Sequence, residues 1–254
     1  MRVTVCQLPD SRDRFDAAWA RLCAHTRAER SELVLLPEMP FAAWFATVRA
    51  VDLAVWRAAV EAHRRWEERV RELGAPFVIG TRPVDHGTRR LNEAFLATPD
   101  RSVAVHHKRY LPDEEGFWEA SWYDAGDGTF DPVDAGGACV GAQICTELWM
   151  LDESRRYGMR GADIIVVPRA TSATTRDQWV VGGRAAAIVS GAYCLSSNRC
   201  DAGTAGVAFA GHAWIIDPDG DLMALTSDAE PFLTREIDVE RARAAKATYP
   251  RYVR

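Results

Sequence analysis

The chain has 254 residues, a formal net charge of −5 and a sequence pI near 5.7; 48% of its residues are hydrophobic and 26% are charged. This composition is typical of globular proteins and excludes intrinsic disorder, which needs low hydrophobicity and high net charge. The mild acidity gives no electrostatic indication of nucleic-acid binding, and no apolar stretch is long enough to span a bilayer. We therefore expect neither nucleic acid nor membrane as a partner.

The six cysteines are too few for a disulfide framework, and none forms a C-x-x-C pair. The N-terminal residues lack the long apolar core of a signal peptide. We expect a cytoplasmic protein whose cysteines are free thiols. One of them is a candidate nucleophile, although composition alone does not identify it.

Strand and helix patterns alternate along the chain. The first part predicts strands at 2–8, 33–36, 77–80 and 103–107 and helices at 13–29 and 52–73, the second of which ends before Gly74. The second part predicts strands at 139–144, 164–167, 192–197, 213–217 and 232–237 and helices at 152–160 and 175–190. The order β-α-β-α-β followed by mixed strands favours an α/β fold. Without a long linker or a repeat, a single domain over residues 1–254 is the simplest organisation.

Reactive side chains follow three of these predicted strands. Glu38 follows the second strand, Lys108 the fourth and Cys145 the fifth. Singly, each has an ordinary explanation as a solvated loop glutamate, a basic strand end or a buried structural cysteine. Together they supply a base, a cation and a nucleophile, which hydrolysis of an amide or nitrile carbon requires. N–H groups after Cys145 would also lower the pKa of its thiol.

In these segments the sequence resembles the nitrilase, or carbon–nitrogen hydrolase, superfamily, which carries a Glu-Lys-Cys triad in this chain order. Pro37-Glu38 is similar to its glutamate motif, His107-Lys108-Arg109 to its lysine motif and Gly141-x-x-Ile144-Cys145 to its cysteine motif. Later family motifs are matched in order by residues 161–168, 198–199, 209–212 and 216–220. The resemblance implies a four-layer α-β-β-α sandwich, a homodimer or larger homo-oligomer, and hydrolysis without a metal or an organic cofactor.

The segment 108–127 resembles the N-carbamoyl-amine amidase branch, in which a second glutamate supports the triad. Glu119 matches the position of that glutamate, and Glu115 is the alternative because other amidases place this carboxylate nearer the lysine and before a glycine. We predict that Glu38 is the base and that Cys145 forms a thioester. Lys108 and the backbone N–H of Thr146 are the predicted donors to the oxyanion.

Departures from the family pattern leave the substrate and the assembly open. Residues 145–147 read C-x-E where the family usually has C-x-D, and C-x-E is more typical of true nitrilases. Conversion of a nitrile to an acid or amide is therefore the alternative activity. A non-catalytic binding or scaffold protein on the same fold is the alternative from another class. Residues 184–190 also lack the glutamate of the family's R-A-x-E-N helix, which bears on contacts between subunits.

Aromatic residues lie close to the candidate catalytic groups, although core packing is their more common role. Trp118 precedes Glu119 and Trp149 follows Cys145, so both are candidates to line a pocket for an apolar or flat acyl group. Arg169, at a strand end, is equally a candidate to bind a substrate carboxylate or to be a surface residue. The nine tryptophans favour a neutral, moderately bulky amide, carbamoyl amine or nitrile as substrate.

Overall fold

The structure is a computed structural model that describes residues 1–202 and 206–253. The strands in these ranges are β1 Arg2–Pro9, β2 Leu33–Leu35, β3 Phe77–His86, β4 Arg89–Ala97, β5 Ser102–His107, β6 Val133–Ala135, β7 Ala138–Ala142, β8 Ile164–Arg169, β9 Tyr193–Ala202, β10 Ala208–Ala210, β11 Trp214–Ile216, β12 Leu222–Leu225 and β13 Phe232–Glu236. The α-helices are α1 Arg12–Ala28, α2 Leu53–Arg69, α3 Glu119–Trp122, α4 Leu151–Met159, α5 Arg176–Ser190 and α6 Val239–Ala245. Short 3₁₀ turns cover Val70–Leu73, Cys145–Trp149 and Ala173–Thr175.

Strand β1 joins two sheets, because its two halves have different neighbours. Its N-terminal half pairs with β13 and β2, and β3, β4 and β5 continue that first sheet. Its C-terminal half pairs with β9, and β8, β7 and β6 continue the second sheet. Because β2, β3, β7, β8 and β9 run parallel to β1, and β5 runs parallel to β3, the carboxyl ends of these strands lie at one edge.

Alternate residues of the first sheet face two different cores. Leu33 and Leu35 face the core between the sheets, whereas Val34 and Leu36 pack outward with side chains of α1 and of the turn after α2. On the far side, α4 and α5 pack against each other, and α5 covers β9 and β11. The layers are therefore helices, sheet, sheet and helices, which confirms the predicted four-layer α-β-β-α sandwich.

Several elements are absent from the sequence-based prediction, namely β4, β6, β10, β12, α3 and α6. Strand β4 is the most consequential, because it pairs with β3 along nine residues and with β5 on its other side. Six of its nine residues are Arg, Leu or Ala, which favour helices in isolation. Pairing on both sides overrides that local preference.

Within residues 1–202 and 206–253, no helix combines the length and the apolar character needed to cross a membrane. The single domain over residues 1–254 and the cytoplasmic location stay predictions.

Candidate active site

Glu38, Lys108 and Cys145 all follow strands that run in the same direction. Glu38 comes after β2, Lys108 directly after β5, and Cys145 begins the 3₁₀ turn after β7. The topology therefore brings all three to one edge of the two sheets, where the carboxyl ends of parallel strands place functional groups. Glu38 and Lys108 are fully buried and Cys145 is 3% exposed. A solvated loop glutamate and an exposed basic strand end are thereby excluded.

The ammonium group of Lys108 joins two carboxylates. Its Nζ is 2.8 Å from Glu38 Oε1 and 2.6 Å from Glu119 Oε2. Asn92 Nδ2 also donates to Glu38 Oε1, at 2.8 Å, and the Tyr123 hydroxyl donates to Glu119 Oε2. These contacts form a buried network in which Lys108 joins the carboxylates of Glu38 and Glu119.

Glu119, and not Glu115, is the carboxylate that contacts Lys108. Glu119 is fully buried, whereas Glu115 is exposed. Lys108 has three N–H groups and uses two of them in these contacts, which leaves one without a partner among the described residues. Glu38 Oε2 and Glu119 Oε1 are also buried without a hydrogen-bond partner. Since buried polar atoms are normally paired, each of these atoms can form one further hydrogen bond.

Burial and mutual charge shift the pKa values of this network. Burial raises the pKa of Glu119 to about 7, although the Lys108 charge acts against the shift. Burial alone would lower the pKa of Lys108, but the charges of Glu119 and Glu38 outweigh it and raise that pKa above its ordinary value. Lys108 is therefore an ammonium ion near neutral pH, while Glu119 exchanges its proton there.

Cys145 has a left-handed backbone, with φ of 52°. For a non-glycine residue this conformation costs about 1–3 kcal/mol and persists only where surrounding contacts enforce it. Burial raises the pKa of the Cys145 thiol, and the charge of Glu38 raises it further, while Lys108 opposes both. The pKa shift is opposite to the sequence-based expectation of a lowered pKa, because burial is the largest influence on the thiol. The thiol is protonated in the free protein and needs a base to become a nucleophile.

A cavity of about 300 Å³ reaches Cys145 and Glu119. Thr146, Phe117 and Trp179 also line it, together with a run of hydroxyl-bearing residues at 171–175. Glu114 and Glu115 contribute carboxylates to its wall, and among the described residues no lysine or arginine does so. A small molecule that enters this cavity would therefore meet the thiol.

The two tryptophans predicted to line the pocket lie elsewhere. Trp118 packs beneath the guanidinium group of Arg49, which is 4.2 Å from the ring centroid. Trp149 is 41% exposed, and its ring centroid is 5.2 Å from that of Trp179. Trp179 lines the cavity and Trp149 does not. The structure thus corrects the choice of aromatic residues.

Both predictions for Arg169 are also corrected, because Arg169 is neither a surface residue nor part of the cavity wall. It is 1% exposed. Its guanidinium group donates to Ser196 Oγ at 2.7 Å, and to Thr171 Oγ1 and the His212 carbonyl oxygen at 2.8 Å each. These bonds use three of the five N–H groups of the guanidinium, one on each nitrogen, so Arg169 holds the strand ends together. Because Arg169 does not line the cavity, it is not placed to bind a substrate carboxylate there.

Sequence reasoning did not identify the roles of three residues that support the site. Asn92 lies in the unpredicted strand β4, and Tyr123 lies four residues after Glu119, a spacing that places both side chains on one side of a helical turn. Arg199 Nε donates to the backbone oxygen of Glu38 at 3.0 Å and therefore holds the loop that carries the carboxylate. For Arg199, the sequence did offer one indication, because Asn198-Arg199 is similar to a family motif.

In the described part of the chain, no three His, Cys, Asp or Glu side chains are grouped so that they could hold a metal ion.

Comparison with known proteins identifies the family. A family model described as carbon-nitrogen hydrolase matches residues 2–247. N-carbamoylputrescine amidase from Arabidopsis thaliana is 22% identical over 92% of this chain and 84% of its own length. The solved carbon-nitrogen hydrolase from Helicobacter pylori G27 has a TM-score of 0.85 and 21% identity, and the match covers 99% of this chain and 94% of that one.

A second solved structure is a mutant of the amidase from Nesterenkonia sp. AN1, in which acrylamide has added to the active-site cysteine. It has a TM-score of 0.78 and 19% identity, and the match covers 96% of this chain and 95% of that one. The predicted fold class and enzyme class are confirmed together with the family. The chain belongs to the carbon–nitrogen hydrolase family.

Proposed function

We propose that the protein hydrolyses the carbon–nitrogen bond of an amide or carbamoyl amine through a thioester on Cys145. The observation that carries this proposal is the buried Glu38–Lys108–Glu119 network at the same sheet edge as a thiol that lines a cavity. Burying an ammonium and two carboxylates is costly, and a scaffold protein has no physical need for it. A reaction that develops negative charge beside a nucleophile does need such a buried cation and a base.

In the first half of the reaction, Glu38 takes the proton from Cys145 Sγ as the sulfur attacks the carbonyl carbon. The negative charge that develops on the carbonyl oxygen is stabilised by the free N–H of Lys108 and by the backbone N–H of Thr146. The first N–H groups of a helical turn have no acceptor within the turn and are available for this task. Glu38 then gives its proton to the leaving nitrogen, the carbon–nitrogen bond breaks, and ammonia or an amine departs.

In the second half, Glu38 takes a proton from water, whose oxygen attacks the thioester carbon. The same two donors stabilise the second tetrahedral intermediate. The carbon–sulfur bond then breaks, Cys145 recovers its proton and the acid is released. Throughout, Glu119 holds the Lys108 ammonium in place through its own ion pair, so Glu119 is a positioning residue in this scheme.

The cavity wall supports a neutral or cationic substrate. Glu114 and Glu115 are exposed carboxylates of this wall, which disfavours an anionic substrate because like charges repel. Glu147, the acidic residue of the C-x-E motif, is buried and does not line the cavity. Glu147, the residue that suggested a nitrilase, is therefore not placed to contact a substrate in this cavity.

A substrate panel tests the proposal. Ammonia release is measured from matched primary amides, carbamoyl amines and nitriles that share the same side chain. We expect turnover of the amide or carbamoyl amine, with kcat/KM higher than for the matched nitrile. Faster turnover of the nitrile would replace the proposed activity with that of a nitrilase.

The pKa of Glu119 near 7 predicts an acidic limb in the pH–rate profile. Burial raises this pKa, so Glu119 becomes protonated as the pH falls through about 7 and Lys108 loses one of its two anionic partners. We expect kcat/KM of the wild-type protein to fall below that pH, and we expect Glu119→Gln to have lower activity without that limb. Initial rates between pH 5 and pH 9 measure both effects.

Glu115→Gln is the matched control for this prediction, because Glu115 is the neighbouring glutamate that does not contact Lys108. The Glu115→Gln variant should keep the acidic limb. The assignment to Glu119 would be contradicted by a limb that persists in Glu119→Gln and disappears in Glu115→Gln.

We also infer a homodimer that forms through the outer face of α4 and α5. Met159 and Val181 on this face are 67% and 63% exposed, and Ile188 and Trp149 are exposed nearby. A group of exposed apolar side chains of this kind is typical of an interface between proteins. Sedimentation velocity should show a dimer for the wild-type protein and a monomer for Val181→Asp, which places a charge in the apolar face. A monomeric wild-type protein at micromolar concentration would overturn the inference.

A further inference from the structure

One buried carboxylate connects the segment of Cys145 to the segment of Lys108. Glu147 Oε2 accepts the backbone N–H of Ile144, the residue before Cys145, at 2.7 Å. Its other oxygen, Oε1, accepts the backbone N–H of Arg109, the residue after Lys108, at 2.6 Å. Both flanking segments are therefore attached to the same side chain, which is fully buried.

A histidine completes this connection. His106 lies two residues before Lys108 in β5, and its Nε2 is 2.8 Å from Glu147 Oε2. Its other ring nitrogen, Nδ1, is 2.9 Å from the backbone oxygen of Thr129. The side chains of His106 and Glu147 are both 0% exposed. The ring also packs on Phe130, with 4.5 Å between ring centroids.

This geometry favours one protonation state of the pair. A carbonyl oxygen only accepts, so His106 Nδ1 must carry a proton. Glu147 accepts a backbone N–H on each of its oxygens, which an ionised carboxylate does best, so a proton on His106 Nε2 completes the contact. The pair is therefore an imidazolium and a carboxylate.

The charges around His106 support this state. Burial alone lowers the pKa of His106, but Glu147 outweighs it and the pKa lies above its ordinary value. Asp127, from the loop that carries Thr129, acts in the same direction. Helix α4 contributes the uncharged phenol of Tyr157 behind Phe130, and Arg109 directs its guanidinium group to the Gly126 carbonyl oxygen.

The left-handed backbone of Cys145 depends on contacts such as those made by Glu147. A left-handed non-glycine residue needs neighbouring contacts that hold it, and the two sides of this turn are held by Glu147. Lys108 and Cys145 follow strands of different sheets, β5 of the first sheet and β7 of the second. Their separation therefore depends on contacts between the sheets, and the His106–Glu147 pair is such a contact.

We propose that His106 and Glu147 are positioning residues whose ion pair fixes Cys145 relative to Lys108, so that breaking the pair slows turnover and leaves substrate binding intact. The proposal rests on the proposed function, since it assumes that Cys145 and Lys108 act together. Neither residue lines the cavity, which is why the effect is expected in kcat and not in KM. Misplacement of a reacting group by about 1 Å is enough to cost about 10²-fold in rate.

Single and double variants test this role. We expect His106→Gln and Glu147→Gln each to lower kcat by about 10²-fold, with KM within about twofold of the wild-type value. Both changes break the same ion pair, and Glu147→Gln also removes one acceptor of a backbone N–H. The double variant should therefore be no slower than Glu147→Gln alone. His25→Gln is the control, since His25 is a partly buried histidine in α1 that bonds Thr234 away from the site. The proposal would be overturned if the loss of kcat in the double variant equalled the product of the losses in the two single variants. It would also be overturned if the variants changed KM alone.

A measurement on the wild-type protein keeps the test independent of folding defects in the variants. In ¹H–¹⁵N correlation spectra of histidine-labelled protein, the His106 ring should carry protons on both nitrogens at pH 7, and His106→Gln assigns the signal. A neutral ring with one unprotonated nitrogen would overturn the ion pair. This result does not depend on Cys145 chemistry, so failure of the pair and failure of the thioester proposal are distinguishable.

Discussion

Replacing Cys145 with alanine is expected to lower turnover by about 10⁶-fold, the scale seen when a nucleophile that acts as a unit with its base is removed. The reason is chemical, because without the thiol Glu38 has no nucleophile to deprotonate and Lys108 has no oxyanion to stabilise. The variant should still fold, since alanine removes one buried atom and leaves the surrounding sheet contacts unchanged. Ammonia release with the best substrate of the panel measures the effect, and circular dichroism confirms the fold.

Two further cysteine variants make this result specific. Cys145→Ser should be almost as inactive, because a hydroxyl is far harder to deprotonate than a thiol at the same position. Cys139→Ala should keep wild-type turnover, because Cys139 lies in the same strand-and-turn segment but does not line the cavity. Turnover retained by Cys145→Ala would rule out the thioester mechanism.

The fold was predictable where local periodicity and burial agree. Helix α1 places Phe15, Trp19 and Leu22 at spacings of three and four residues, and all three are buried as that pattern predicts. Strand β4 was not predictable, because its residues favour a helix locally and only pairing with β3 and β5 makes it a strand. Local sequence carries no information about such neighbours.

The site was predictable to the extent that its residues follow strand ends in a recognisable order. Glu38, Lys108 and Cys145 met this condition. Asn92 did not, because its importance depends on β4 lying beside the Glu38 loop. Arg169 was misjudged for a related reason: β8 is an interior strand, with β7 and β9 on its two sides, so an arginine at its end is enclosed.

The role of Glu147, the acidic residue of the C-x-E motif, was also not predictable from the sequence. Glu147 looked like a marker of substrate type, whereas its contacts are with His106, 41 residues earlier, and with two backbone N–H groups. A pairing over that distance is visible only in three dimensions. The acidic residue of this motif therefore supports the backbone on either side of the candidate site.

Replacing Lys108 with methionine is expected to reduce both activity and stability. Methionine fills a similar volume but leaves Glu38 and Glu119 buried without their cation. Removing one partner from a buried ion pair costs about 3–5 kcal/mol in the free energy of unfolding. Loss of an oxyanion donor lowers kcat by about 10²–10³-fold, and the displaced carboxylates should add to that loss. Urea unfolding at pH 8 measures the stability, and ammonia release measures the activity.

The double variant Lys108→Met/Glu119→Gln separates the two effects. It removes one of the two uncompensated carboxylates, so part of the lost stability should return, because a neutral amide costs less to bury than a carboxylate. Activity should not return, since the oxyanion still lacks its ammonium donor. A double variant that is less stable than Lys108→Met would show that the carboxylates are not the source of the destabilisation. Recovery of activity in the double variant would show that Lys108 serves only to neutralise its neighbours, and the oxyanion would then depend on the backbone N–H of Thr146 alone.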